Sequence, residues 1–280
     1  HWTDARELIL TDGNYRNAKV NWTETTSRIS KKIGSEQRAF VTQGFIGSTD
    51  DLMNTTLGRE GSDFTAAIFA YCLNAESVTI WKDVPGVMSA NPKRFPQAEL
   101  LSQLSYTDAV ELAYFGTSVI HPKTIKPLQN KEIPLYVKSF RHPDGSGTVI
   151  NGQNSDDPIP NFIVRENQVL VSIYPRDFSF VVESNLEHIF QELNRLNIKI
   201  NVMQNSAVSF SFCMDHSDSS LEALLKELKK HYELRFNVNC ILLTVRHFTE
   251  KLIGDLVEDK KVLLEQRTRN TAQLVLSEDK

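Results

Sequence analysis

TTLGREGSDFTAAIFAYCL, residues 55–73, sets a turn crowded with glycines and charged side chains at the mouth of an almost wholly apolar segment. The segment is long enough for a buried helix, and charge beside a buried helix is costly unless something pairs with it. An anion held on the free amides of the first helical turn accounts for the crowd better than packing alone. Upstream, 41–45 reads as a strand, glycines stand at Gly44 and Gly47, and a loop crosses 50–54. Gly58 and Gly61 then precede Ser62 or Asp63 at the expected N-cap. A strand, a loop and a helix in this order bring the amides above the strand ends, where ligands of α/β domains gather. The glycines let backbone approach a ligand closely, Arg59 offers a planar fork to a carboxylate or phosphate, and Asp63 either caps the helix or enters the chemistry. A plainer reading, in which Ser62 and Asp63 only cap and the glycines only turn, stands level with it on spacing alone.

Outward from this stretch, strand-like runs at 38–45, 77–81 and 133–140 alternate with helical patterns at 64–73, 107–114 and 122–129. That alternation predicts a layered α/β domain over 1–152 with a mainly parallel sheet. NGQNSDDPIPN, 151–161, has the composition of a linker. Beyond it the pattern is strand 168–173, helix 185–196, strands 199–203 and 207–214, helix 221–231 and strand 236–239, the order of a ferredoxin-like unit over 161–239. A shorter round follows over 240–280: strand 240–246, helix 250–259, strands 261–267 and 271–276, an abbreviated second sandwich.

Composition removes several function classes. A net charge of −4 with no Lys/Arg block gives no basic field for nucleic acid or an anionic membrane. Cys72, Cys213 and Cys240 are odd in number and set in apolar runs, which predicts reduced core thiols rather than a disulfide framework. No apolar run suffices to span a bilayer and no signal peptide is evident, so the chain is expected in the cytoplasm. It opens without Met and is expected to be a piece of something longer.

WKDVPGV, 81–87, ends a β-prone run in a charged pair and a Pro-Gly turn, which stands Lys82 and Asp83 on the ligand edge. Lys93 and Arg94 follow after a second turn. Cations there suit phosphates and Asp83 suits a ribose hydroxyl, while the alternative is a solvated loop with a weak ion pair. In FGTSVIHPKTI, 115–125, His121 before Pro122 marks a helix start, a position more often structural than catalytic.

TQGFIGS, TTLGREGSDFTAA, WKDVPGV and FGTSVIHPKTI, in this order, resemble the C-terminal part of the aspartate kinase catalytic domain, and the tandem sandwiches resemble its regulatory ACT domains. The resemblance implies part of an amino acid kinase-fold α/β/α sandwich followed by ferredoxin-like βαββαβ domains. It implies transfer of the ATP γ-phosphoryl to the β-carboxylate of L-aspartate, the entry to lysine, threonine and methionine synthesis, with Mg2+ carried by the nucleotide and no resident metal. Arg59 would then grip the aspartate carboxylate, Gly61 and Ser62 help seat it, and Asp63 organise the reacting centre. The nucleotide would lie against Lys82, Asp83, Met88, Lys93, Ser118 and Val119. Met88 stands where the family often has Tyr, Lys93 where it has Arg, Ser118 where it has Lys, and Lys82-Asp83 where it has Thr-Asp. The family's Lys-Phe-Gly-Gly-Thr-Ser motif is absent from these rows, which implies scant turnover by this stretch alone. An amino-acid effector, lysine or threonine, would contact Asn201, Asn205 and Ser206; Asn201 and Ala207 replace an acidic pair and disfavour a cation. A homodimer through the ACT domains is expected. The rival is a non-catalytic amino-acid-sensing ACT module that keeps a kinase-like remnant.

Overall fold

The computed structural model describes residues 1–280 apart from 35–37, 117–118, 156–157, 178 and 278–280. The chain divides into two compact units, His1–Ile159 and Pro160–Lys280.

The first unit runs α1 (Ala5–Leu8), α2 (Trp22–Ile33), β1 (Ile46–Ser48), β2 (Asn54–Thr56), α3 (Gly61–Leu73), β3 (Val78–Lys82), β4 (Gln103–Ser105), α4 (Tyr106–Phe115), α5 (Pro122–Gln129), β5 (Leu135–Ser139) and β6 (Thr148–Asn151). Helix α3 is apolar nearly all round, as a helix covered by other elements must be. Its Phe64, Ile68 and Cys72 pack with Ala5, Leu8, Ile9 and Ile29 in one cluster. Ile68 is completely enclosed, a burial that contributes roughly 1.5–3 kcal/mol. In β3 and β5 the alternation is plain: Val78 and Ile80 are buried while Thr79 and Trp81 are exposed, and Leu135 and Val137 are fully enclosed.

The sheet has the order β3-β5-β6-β4, with β3–β5 and β4–β6 parallel and β5–β6 antiparallel, so it is mainly parallel with one antiparallel ladder. A difference from expectation lies at 38–45. Only a single bridge, Trp2 to Val41, forms there, and the regular strand begins at Ile46. Phe45 sits at φ 77° and gives its N–H to the Thr65 hydroxyl, so it cannot extend a ladder upstream.

The second unit runs β7 (Asn161–Pro175), α6 (Glu183–Arg195), β8 (Ile200–Asn205), β9 (Phe210–Asp215), α7 (Asp218–Leu228), β10 (Tyr232–Arg246), α8 (Glu250–Val257), β11 (Lys261–Arg267) and β12 (Thr271–Ser277). Its sheet order is β11-β12-β10-β7-β9-β8. The last four strands of that order, with α6 and α7, are a βαββαβ unit in the ferredoxin-like arrangement. Residues 236–239 and 240–246 belong to one continuous strand, β10, with register shifts between Asn237 and Leu242. Asn167 and Asn239 adopt φ 53° and 54° at this bulge, a conformation asparagine tolerates. The two long strands therefore serve both sandwiches: Asn161–Arg165 pairs with Leu242–Arg246, and Leu170–Pro175 with Tyr232–Asn237. Val169, Val171 and Ile173 face α6 and α7. Leu243 and Val245 face α8. The opposite face gathers Leu170, Val202, Cys213, Leu242, Leu264 and Val275 into one cluster, a shared core around which the bent sheet folds. All three cysteines are buried, and none is in a disulfide among the described residues. No described helix is long and apolar enough to cross a membrane.

Candidate active site

The glycine turn is built by conformations that ordinary residues resist. Gly58 lies at φ 82°, and a Cβ there would come within 2.6 Å of Asn17 Oδ1; a Cβ at Gly61 would meet the Phe45 ring at 2.5 Å. Between them Glu60 takes the left-handed conformation as N-cap of α3 without capping the helix through its side chain. Thr65 locks the turn to the preceding segment: its hydroxyl donates to Gly61 O at 2.8 Å and accepts the Phe45 N–H at 2.9 Å.

This geometry corrects the capping assignment. Ser62 and Asp63 lie inside the first turn of α3, and neither is the N-cap. Ser62 is exposed. Asp63 is 8% exposed, and its Oδ2 accepts from Lys82 Nζ at 2.6 Å. The two motifs that the sequence offers separately, the glycine turn and the charged end of a strand, thus meet in one ion pair. Lys82 is the last residue of β3 and Asp63 stands in the first turn of α3, so packing of α3 against β3 sets the pair.

Arg59 is exposed on the turn, and among the described residues its guanidinium takes no hydrogen bond or ion pair. Asp83 and Lys93 are exposed and Met88 is half-buried. Met88 bridges to Leu100, and the Lys93 N–H donates to Asn91 Oδ1. Among the described residues none of these three bonds to the Asp63–Lys82 pair. Val119 lines a small apolar crevice with Val87 and Leu112. Ser118 lies outside the described residues.

The sequence reading passed over the flank of the turn. Lys123 Nζ reaches Leu57 O at 3.5 Å and also bonds Asn17 Oδ1, tying α5 to the glycine turn. His121 is the N-cap of α5, its Nδ1 accepting the Lys123 N–H. Burial lowers its pKa, and the charges of Lys123 and Arg59 push the same way against Glu60. Glu60 itself is strained in backbone, and its Oε2 is buried without a partner among the described residues. The motif GREGSD contains the signal, since a non-glycine between two glycines of a tight turn is a candidate for strain. Glu60→Gly is expected to stabilise the first unit by about 1 kcal/mol by removing the left-handed penalty. A chemical-denaturation midpoint lower than the parent's would mean that the Glu60 carboxylate holds a contact worth more than the strain.

In the second unit, Asn201 is fully engaged. Its amide donates to Gln168 Oε1 at 2.7 Å and Asp215 Oδ1 at 2.9 Å, and its oxygen accepts from Arg165 at 3.1 Å. Asn205 ends β8 exposed. Ser206 starts a tight turn, its N–H on Ser209 O and its Oγ accepting the Ser209 N–H.

Residues 3–139 match the amino acid kinase family. Lysine-sensitive aspartokinase 3 of Escherichia coli is 31% identical over 222 residues, covering 78% of this chain and 49% of that protein. A chloroplastic bifunctional aspartokinase/homoserine dehydrogenase of Daucus carota is 30% identical over 243 residues, covering 83% of this chain and 26% of that one. The crystal structure of E. coli aspartokinase III in complex with lysine and aspartate superposes with a TM-score of 0.83 at 26% identity, covering 99% of this chain and 65% of its own. The chain thus spans half or less of the length of these curated relatives.

Proposed function

We propose that this chain, whose residues 3–139 match the amino acid kinase family and whose relatives are aspartokinases, supplies the aspartate-binding turn and part of the nucleotide edge of an aspartate kinase with ACT-domain regulation. The observation that carries this reading is the 2.6 Å pair of Asp63 with Lys82 beside the free amides of α3. In the reaction a β-carboxylate oxygen of L-aspartate attacks the γ-phosphorus of ATP, the bond to the bridging oxygen breaks, and ADP leaves. The nucleophile is already ionised, so no proton must be removed, and catalysis reduces to positioning and charge neutralisation.

Arg59 clamps the substrate carboxylate through its planar fork. The amides around Gly61 and Ser62 seat it at the positive end of α3. Lys82 neutralises charge spreading over the transferring oxygens, and Asp63 holds that ammonium in place. Asp83, Met88, Lys93 and Val119 flank the nucleotide. Mg2+ arrives with ATP; among the described residues no group of three or more His, Cys, Asp or Glu is placed to hold a metal. Trapping the acyl phosphate with hydroxylamine tests the reading. Aspartate-dependent ADP formation with aspartyl hydroxamate supports it, while no phosphoryl transfer by the intact protein leaves an amino-acid-sensing module with a kinase-like remnant.

The second unit serves as a dimerising effector domain in this reading. Because Asn201 is spent on Gln168, Asp215 and Arg165, it shapes the site, and Asn205 and Ser206 meet the effector. Threonine is favoured over lysine, since Asn201 and Ala207 offer an ammonium side chain no carboxylate. At a concentration a hundredfold above its Kd, threonine is expected to stabilise the folded state by about 2.7 kcal/mol. Asn205→Ala is expected to abolish the gain. Calorimetry without heat from threonine, lysine or methionine would leave this unit to dimerisation alone.

A further inference from the structure

A cavity of about 410 Å³ in the second unit mixes Arg176, Asp177, His188 and His231, and so selects no ligand charge. The larger cavity of the first unit does. It measures about 610 Å³ and opens between α2, α3 and α5, and its described lining includes neither Asp63 nor Lys82. That size lies within the range of small-molecule sites.

Its floor is aromatic. Trp22 stands edge-on to Tyr71 at 4.9 Å and to Phe64 at 6.2 Å. Lys131 covers the Tyr71 ring, 4.2 Å from its centroid, and its ammonium donates to Tyr71 O, which holds that wall in place. Its rim is cationic, with Lys19, Lys123 and Lys126, and the described lining holds no carboxylate.

Some of the donors are also free. Lys123 is committed to Asn17 and Leu57 and the Lys19 charge acts on Asp12, but among the described residues the Lys126 ammonium and the indole N–H of Trp22 make no hydrogen bond or ion pair. The Asn130 amide stands beside them on the same rim. Several donors over an aromatic floor, with no carboxylate on the described lining and only Asp12 near Lys19, match a ligand that carries one planar ring and one acidic group.

We propose that this cavity is a binding site for an aromatic carboxylate, its ring lying on Trp22 and Tyr71 and its carboxylate meeting Lys126 and Lys19. The site does not depend on the phosphoryl-transfer reading. Occupancy would bear on Lys123, the residue that ties α5 to the glycine turn, so a ligand here can reach the catalytic face through one side chain.

The test uses 3-phenylpropionate, its alcohol 3-phenylpropanol and its saturated counterpart 3-cyclohexylpropionate, titrated into the full chain with tryptophan fluorescence and calorimetry as readouts. The acid is expected to bind at least about tenfold tighter than either comparator, the charge being lost in one and the aromatic face in the other. Lys126→Glu, at an exposed helix position, is expected to weaken the acid about tenfold or more with the circular dichroism unchanged. Trp22→Phe, which keeps a ring on the floor, is expected to remove the fluorescence change while calorimetric binding persists. The proposal is overturned if the acid gives no heat up to its solubility limit, if acid and alcohol bind alike, or if Lys126→Glu and Trp22→Phe leave both signals as they were.

Discussion

Exchanging Asp63 for asparagine is expected to lower kcat of the intact protein by roughly a hundred- to a thousandfold, the scale on which loss of one preorganised electrostatic group is felt. Asparagine keeps the shape and one acceptor but not the charge, so Lys82 is no longer held at 2.6 Å and drifts from where the phosphoryl charge develops. The KM for aspartate should change little, because the lost interaction acts in the transition state. The Asp63 and Lys82 side chains keep 11% and 24% of their exposure, which places the pair between surface and buried. The folding cost is therefore about 1–2 kcal/mol, above the surface range and below that of a fully buried pair. Lys82→Met should lose turnover on a similar scale, and the double variant should fall little further, since two residues acting as a unit are not additive. Near-normal turnover in Asp63→Asn would reduce the pair to a structural brace between α3 and β3.

That pair also shows where sequence reading stops. Helix α3 was legible because a ten-residue run with nine apolar residues after a glycine turn can hardly be anything else, and the ferredoxin-like order was legible because its amphipathic helices and β-prone runs alternate cleanly. The convergence of Asp63 and Lys82 was not, since it depends on how α3 lies on β3 and not on any local spacing. The left-handed Phe45 is set by its contact with Thr65 on α3, so 38–45 looked like a strand in isolation. β10 is a related case. The sequence divides strand 236–239 from strand 240–246 between two sandwiches, yet the two runs are one strand with a bulge, held by pairing to β7 on both sides. Asn201 looked available because its partners Arg165, Gln168 and Asp215 sit on two other strands, β7 and β9. By contrast α2 was missed although its signal was local, with Asn21 capping through Glu24 N–H as an Asn-x-x-Glu pattern announces.

Arg59→Ala is expected to raise the KM for aspartate by roughly thirtyfold to several thousandfold, the equivalent of the 2–5 kcal/mol lost when a charged partner is removed from a desolvated carboxylate. The KM for ATP should move by much less. Stability should hardly respond, within about 0.5 kcal/mol, because Arg59 is exposed and bonds to nothing among the described residues, while Gly58, Glu60 and the Thr65 hydroxyl shape the turn without it. An exposed arginine held on a turn this constrained is preorganised for a ligand, since the backbone that aims it is fixed before binding and little ordering remains to oppose affinity. Arg59→Lys separates charge from geometry. It keeps the charge but loses the bidentate fork, so it should fall between parent and alanine, and full recovery by lysine would make the residue a point charge. Equal losses for aspartate and ATP in Arg59→Ala would mean that the turn serves both substrates or neither, and would take the aspartate-clamp role from Arg59.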